Sequence, residues 1–159
     1  LMDQVKRLYQ IGQIEKAKRL CAGENTPLAI MISKGIDRIG SPLKNIEVAI
    51  ENVGKLEIYK LEKNLWVLAT VSGAAPMIGF LGTVTGMIQA FISIAQEDGM
   101  VSPKLLSSGI YEAMITTAAG LVVGIIAYLG YNYLVTQVSK LVHLMEYTSI
   151  EFIDLLQDK

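Results

Sequence analysis

The sequence predicts an all-α membrane protein: two long transmembrane helices that extend into the cytoplasm, accompanied by amphipathic cytoplasmic helices. Three observations carry this. Hydrophobic residues make up 52% of the 159 residues and charged residues 18%. No charged side chain lies between Lys63 and Glu97, and none between Glu112 and Lys140. Each gap is longer than the ~20 apolar residues that a helix needs to cross the hydrocarbon core. Neither gap shows the polar face that a soluble core helix keeps at helical spacing.

The spans are expected over 65–95 and 109–139, joined by a short loop at 96–108, with a helical region at 1–64 and a helical tail at 140–159. Eleven of the 14 basic residues precede the first span, among them Lys55, Lys60 and Lys63, and Lys140 closely follows the second. Basic flanks stay on the cytoplasmic side. Both termini are therefore expected in the cytoplasm, with 96–108 outside. The single cysteine, Cys21, excludes an intrachain disulfide. Neither span is N-terminal, so a signal peptide is not expected.

The first 64 residues carry helix punctuation. Asp3 is placed as the N-cap of a stretch that stops at Gly23. Thr26 caps the next helix, with Pro27 in its first turn and Gly40 as terminator. Ser41 and Pro42 repeat the device. In that third helix Leu43, Ile46, Ile50 and Val53 form an apolar stripe, and no proline separates it from the first span, so the two can form one rod. In the tail, Leu141, Leu144, Met145, Thr148, Phe152 and Leu155 share a face, which predicts that the second span continues as an amphipathic helix.

Within the spans, steps of three and four place Ser72, Pro76, Gly79, Thr83, Gly86 and Ala90 on one side of the first helix. Ala113, Thr117, Gly120, Gly124 and Ala127 fall on one side of the second. Two readings fit such stripes. One is close helix packing: Gly82 and Gly86 make a GxxxG, and threonine can bond back to its own helix. The other is a polar seam facing a shared interior that holds a partner or conducts an ion. Folding the chain at its loop brings Thr83 and Thr117 to within about a helical turn in depth. Threonine does not titrate near neutral pH, and proton relays in membranes use ionisable groups. A proton-conducting role therefore requires a carboxylate from a partner helix, or Glu112 at the outer edge.

The segments "APMIGFLGTVTGMIQAF", "GIYEAMITTAAGLVVGI" and "YNYL", in this order, resemble the ExbB/TolQ family, with MotA a more distant relative. The resemblance is close over 70–140 and looser before it. It implies an additional transmembrane helix ahead of residue 1, so the chain is expected to begin after it. It also implies a homopentamer in the inner membrane of Gram-negative bacteria. That pentamer encloses transmembrane helices of an ExbD- or TolR-like single-span partner, whose aspartate takes up and releases protons. In the ExbB branch the work passes to a TonB-like protein that energises outer-membrane transporters.

By motif, Thr83 and Thr117 correspond to the family threonines that face the lumen near the partner aspartate, and Glu112 to the glutamate opening the second helix. Glu112 can equally be a boundary residue bonded to a neighbouring helix. Pro76, Gly79, Gly86, Ala113, Gly120 and Gly124 are expected as pore-lining small residues. An ionised partner aspartate is expected to prefer positions where Thr83 and Thr117 supply hydrogen bonds.

No nucleophile–base arrangement, metal-ligand cluster or glycine-rich phosphate loop occurs, so neither an enzyme nor a cofactor is expected. A net charge of −1 gives no sign of nucleic acid as a partner. The leading reading is a channel-forming motor subunit. A TolQ-type subunit, a flagellar or gliding stator subunit and a non-conducting helical scaffold stand as alternatives. The stator reading ranks below because no long charged cytoplasmic insert is present.

Overall fold

The computed structural model describes residues 1–96 and 102–158. Among the described residues six α-helices follow one another: α1 Met2–Gln10, α2 Ile14–Gly23, α3 Pro27–Asp37, α4 Leu43–Glu62, α5 Leu65–Gln96 and α6 Pro103–Gln157. The chain divides into two compact units, Leu1–Lys63 with Thr136–Lys159, and Asn64–Val135.

In the first unit α1, α2, α3 and α4 pack in sequence order. The stretch expected to run from Asp3 to Gly23 is two helices. Gly12, at φ 77°, takes the left-handed conformation that lacks a steric penalty only for glycine. Its N–H bonds to the Tyr9 carbonyl at 3.0 Å, and the Gln13 N–H bonds to the Leu8 carbonyl at 2.8 Å. This paired pattern closes a helix C-terminus, so α1 ends there. Asp3 lies inside the first turn, and Leu1 holds the N-cap position.

Thr26 caps α3 as expected: its hydroxyl accepts from the Ala29 N–H at 3.2 Å, with Pro27 in the first turn. Gly40, at φ 101°, follows the end of α3. The start of α4 lies one residue later than the Ser41–Pro42 pattern suggests. Pro42 occupies the N-cap position, and its carbonyl takes the first helical bonds from Asn45 and Ile46 at 2.9 and 3.3 Å.

The core of this unit is a side-chain core. Val5, Cys21, Ile32, Ile50, Met145 and Phe152 are its largest fully buried members. Each large apolar side chain removed from water contributes about 1.5–3 kcal/mol. Gly35 makes room for Phe152: a Cβ there would come within 2.5 Å of the Phe152 ring and 2.8 Å of Ile50 Cδ1. The α4 stripe buries Ile46 and Ile50 and continues through Gly54 to Glu57. Glu57, a carboxylate that the apolar pattern did not mark, accepts from Lys60 Nζ at 3.1 Å. On α6, Met145, Thr148, Phe152 and Leu155 are buried as expected. Leu144 is exposed instead, because it is turned ~100° from Met145 and lies at the edge of the stripe.

The second unit is built from α5 and the first part of α6. The most apolar windows of the two long helical stretches, Leu43–Gln96 and Pro103–Gln157, are only 11% and 17% buried. A soluble core helix would be covered. Here Phe80, Leu81, Ile126 and Leu129 stand exposed, as suits side chains that face lipid. Helix α6 already begins at Pro103, within the segment expected as loop, and residues 97–101 of that segment lie outside the described residues. Lys63, which follows α4, keeps helical angles of φ −57°, ψ −26°. The tail continues α6 without a break to Gln157.

Candidate functional site

The site grows out of one packing fact: the small-residue stripes of α5 and α6 meet each other within one chain. A Cβ added to Gly120 would approach the Ala75 carbonyl oxygen to 2.5 Å and Gly79 Cα to 2.9 Å. One on Gly79 would come 2.8 Å from the Thr116 carbonyl oxygen. These are backbone atoms, which cannot turn aside. A Cβ on Gly86 would lie 3.1 Å from Ala113 Cβ, and one on Gly124 would lie 2.5 Å from the Pro76 ring. Pro76 lacks an N–H and so leaves the Ser72 carbonyl without its helical donor. That carbonyl lies 3.3 Å from the position a Gly124 Cβ would take. The small size of Pro76, Gly79, Gly86, Ala113, Gly120 and Gly124, expected at a pore wall, is thus used in contact between the two helices. In lipid, where apolar burial drives nothing, such close backbone approach supplies the association energy.

Thr83 and Thr117 sit in the middle of this contact, both partly buried, and their hydroxyls are hydrogen-bonded to each other. The ties are also reciprocal. Thr83 on α5 reaches the Ala113 carbonyl of α6 at 3.0 Å, and Thr117 on α6 reaches the Gly79 carbonyl of α5 at 3.2 Å; of the two protons one serves the bond between the hydroxyls and the other a carbonyl. Each hydroxyl has a weaker option on its own helix, Gly79 at 3.5 Å for Thr83 and Ala113 at 3.4 Å for Thr117. Sequence reasoning brought these two residues to a common depth, and the structure joins them.

Glu112 is not joined to the pair. It is exposed, although its neighbour Ala113 is buried, and none of the hydrogen bonds of the threonines involves it.

Two participants escaped the sequence reading. Thr116 donates to the same Ala113 carbonyl at 2.8 Å and packs on Gly82. Gly109 meets Ala90, whose Cβ lies 2.7 Å from the position of a Gly109 Cβ. Extending the second stripe one step back from Ala113 by four residues would have found Gly109. The doublet "TT" hid Thr116 behind its neighbour. Thr85 turns away from the contact and bonds to the Leu81 and Gly82 carbonyls of its own helix at 3.0 and 3.1 Å.

Among the described residues no group of three or more His, Cys, Asp and Glu gathers to hold a metal. What remains is a hydroxyl junction between the uncharged stretches of two helices. Residues 23–147 match the model of the MotA/TolQ/ExbB proton channel family. The chain belongs to that family. This MotA/TolQ/ExbB member is therefore a membrane proton-channel protein and not an enzyme.

It is similar to the biopolymer transport protein ExbB of Aquifex aeolicus, 37% identical over 141 residues, which is 88% of each chain. It is 32% identical to the biopolymer transport protein exbB1 of Vibrio cholerae over 96 residues, 58% of this chain and 42% of that one. It is 38% identical to the Tol-Pal system protein TolQ of Haemophilus influenzae over 85 residues, 54% of this chain and 37% of that one. The chain thus spans nearly all of the Aquifex relative and less than half of the other two.

Proposed function

We propose that this protein is the channel-forming subunit of an inner-membrane motor. With an ExbD-like single-span partner, it couples the proton motive force to TonB-dependent outer-membrane transport. The subunit acts as a homopentamer with both ends of the described chain in the cytoplasm, and the partner helix carries a membrane carboxyl. The observation that carries this reading is the Thr83–Thr117 junction. It joins two spans in which no charged residue lies between Lys63 and Glu97 or between Glu112 and Lys140. A proton path there needs a titrating group from another polypeptide, and the junction is the polar place for that group to dock. Glu112 serves at the outer mouth, where its exposure leaves it open to water. A potential of 100 mV supplies about 2.3 kcal/mol per charge moved, enough to bias a rotational step.

The test is proton flux into liposomes holding the purified complex, together with potential-dependent uptake in cells. Thr117→Val is expected to abolish most of both while assembly stays normal. Full flux and uptake in a normally assembled variant would contradict the reading. The likeness to TolQ favours a second reading, a subunit of the Tol-Pal envelope system. Complementation separates the two: rescue of TonB-dependent uptake supports the first, and rescue of envelope integrity alone supports the second.

A further inference from the structure

The hydroxyl protons of the junction can be counted. Thr83, Thr116 and Thr117 bring one each. The acceptors within reach are the Ala113 carbonyl, for Thr83 at 3.0 Å, Thr116 at 2.8 Å and Thr117 at 3.4 Å, and the Gly79 carbonyl, for Thr117 at 3.2 Å. Each of these carbonyls also accepts the N–H four residues on in its own helix. That leaves one lone pair on each carbonyl for three hydroxyl protons; the third proton lies between Thr83 and Thr117, whose hydroxyls are bonded to each other, so the junction has none to spare. What it has left over is lone pairs on the hydroxyl oxygens of Thr83 and Thr117, residues that are only partly buried.

The commitment of the two central protons also holds the helices. Thr83 reaches from α5 to a carbonyl of α6, and Thr117 from α6 to a carbonyl of α5. Turning either proton outward, toward an anion, gives up a tie between the helices. Accepting a proton from outside gives up nothing.

We propose that Thr83 and Thr117 meet a membrane carboxyl as hydrogen-bond acceptors and so select its protonated form, Thr116 helping to saturate the Ala113 carbonyl. The proposal rests on the reading that a partner carboxyl docks at this junction. It reverses the polarity expected from the sequence, in which the hydroxyls donate to an ionised carboxylate. The neutral acid is held at the junction, and the ionised one is released from it or must loosen α5 from α6 to stay. Among the described residues α5 has no ionisable side chain. Those of the Pro103–Val135 part of α6 are Lys104, Tyr111, Glu112, Tyr128, Tyr131 and Tyr133, and none bonds to the junction.

The two polarities predict shifts of opposite sign. An acceptor stabilises the neutral acid, so its removal lowers the carboxyl pKa; a donor stabilises the carboxylate, so its removal raises it. Valine in place of threonine adds an apolar group, which by itself raises the pKa, so a fall identifies the lost acceptor.

The complex is purified through a tag on this chain, and its carboxyl groups are titrated by infrared spectroscopy with isotope-labelled aspartate. Thr83→Val and Thr117→Val are each expected to weaken protonation of the membrane carboxyl about fivefold, the net worth of one hydrogen bond. Thr83→Ser and Thr117→Ser are expected to restore it, which separates hydroxyl chemistry from packing. An unchanged or raised pKa in the valine variants would overturn the proposal and leave the channel reading standing. A complex with no titrating membrane carboxyl would overturn that reading itself, and the proposal with it.

Discussion

The two units of this chain solve the same problem, holding helices together, by opposite means. The first fills its interior with large side chains: Phe152, Ile32 and Ile50 are almost wholly buried. The second removes side chains until backbones touch, as at Gly79 and Gly120. The contrast follows from the solvent. Water drives apolar side chains together in proportion to the area they bury, so bulk is rewarded. Lipid does not, so contact must come from dispersion and from polar ties at short range. Glycine shows the difference. Gly35 admits a neighbouring ring, whose atoms can shift; Gly120 admits a neighbouring backbone, which cannot.

This comparison can be broken by substitution. Phe152→Ala is expected to have the largest local effect, about 3–5 kcal/mol. Hydrogen exchange should quicken in the amides of α1, α2, α3 and α4. Quickening confined to α5 would contradict the assignment of Phe152 to the first core. Gly120→Ala is expected to cost about 1–3 kcal/mol by overpacking, seen as a lower melting temperature in detergent. Gly130→Ala is the control, since a Cβ there meets nothing within 4 Å. Equal behaviour of the two would mean that backbone contact does not hold the second unit.

Thr26→Ala removes a cap from the first unit and is expected to cost about 1 kcal/mol, read as faster exchange at the start of α3. The smallest effect concerns Cys21. Burial, with the charge of Glu24 adding to it, lifts its thiol above the ordinary value of 9.0. The folded chain then keeps a proton that the unfolded chain loses. Stability from this group is unchanged below pH 9 and falls as the pH rises above it. Cys21→Ala is expected to flatten that alkaline slope in a pH series of melting curves.

The sequence showed the spans, the continuation of the second into the tail and the Thr26 cap. Each rests on a pattern repeated over several residues or on a local motif with one physical meaning. The break between α1 and α2 was less visible. Gly12 sits in a polar, helix-favouring stretch, and only its backbone angle, with the Gln13–Leu8 bond, reveals a C-terminus. Pro42 was misplaced by one position because both proline placements satisfy the same local chemistry.

At the site, periodicity found the stripes and the depth of Thr83 and Thr117. It could not say whether each stripe faces a lumen or the other helix, since both need small residues. Nor could it give hydrogen-bond polarity. That depends on the Ala113 and Gly79 carbonyls, which every residue has and no pattern marks.

The central claim, that the slim faces of α5 and α6 close on each other inside one chain around the threonine junction, is tested most directly by cross-linking. Gly86→Cys and Ala113→Cys, combined in a Cys21→Ala background, place two thiols where the corresponding Cβ positions are 3.1 Å apart, close to the spacing of a disulfide. Mild oxidation in the membrane is predicted to consume both thiols while the protein still runs as a monomer on a non-reducing gel. A covalent dimer formed in place of the internal bridge would contradict the account.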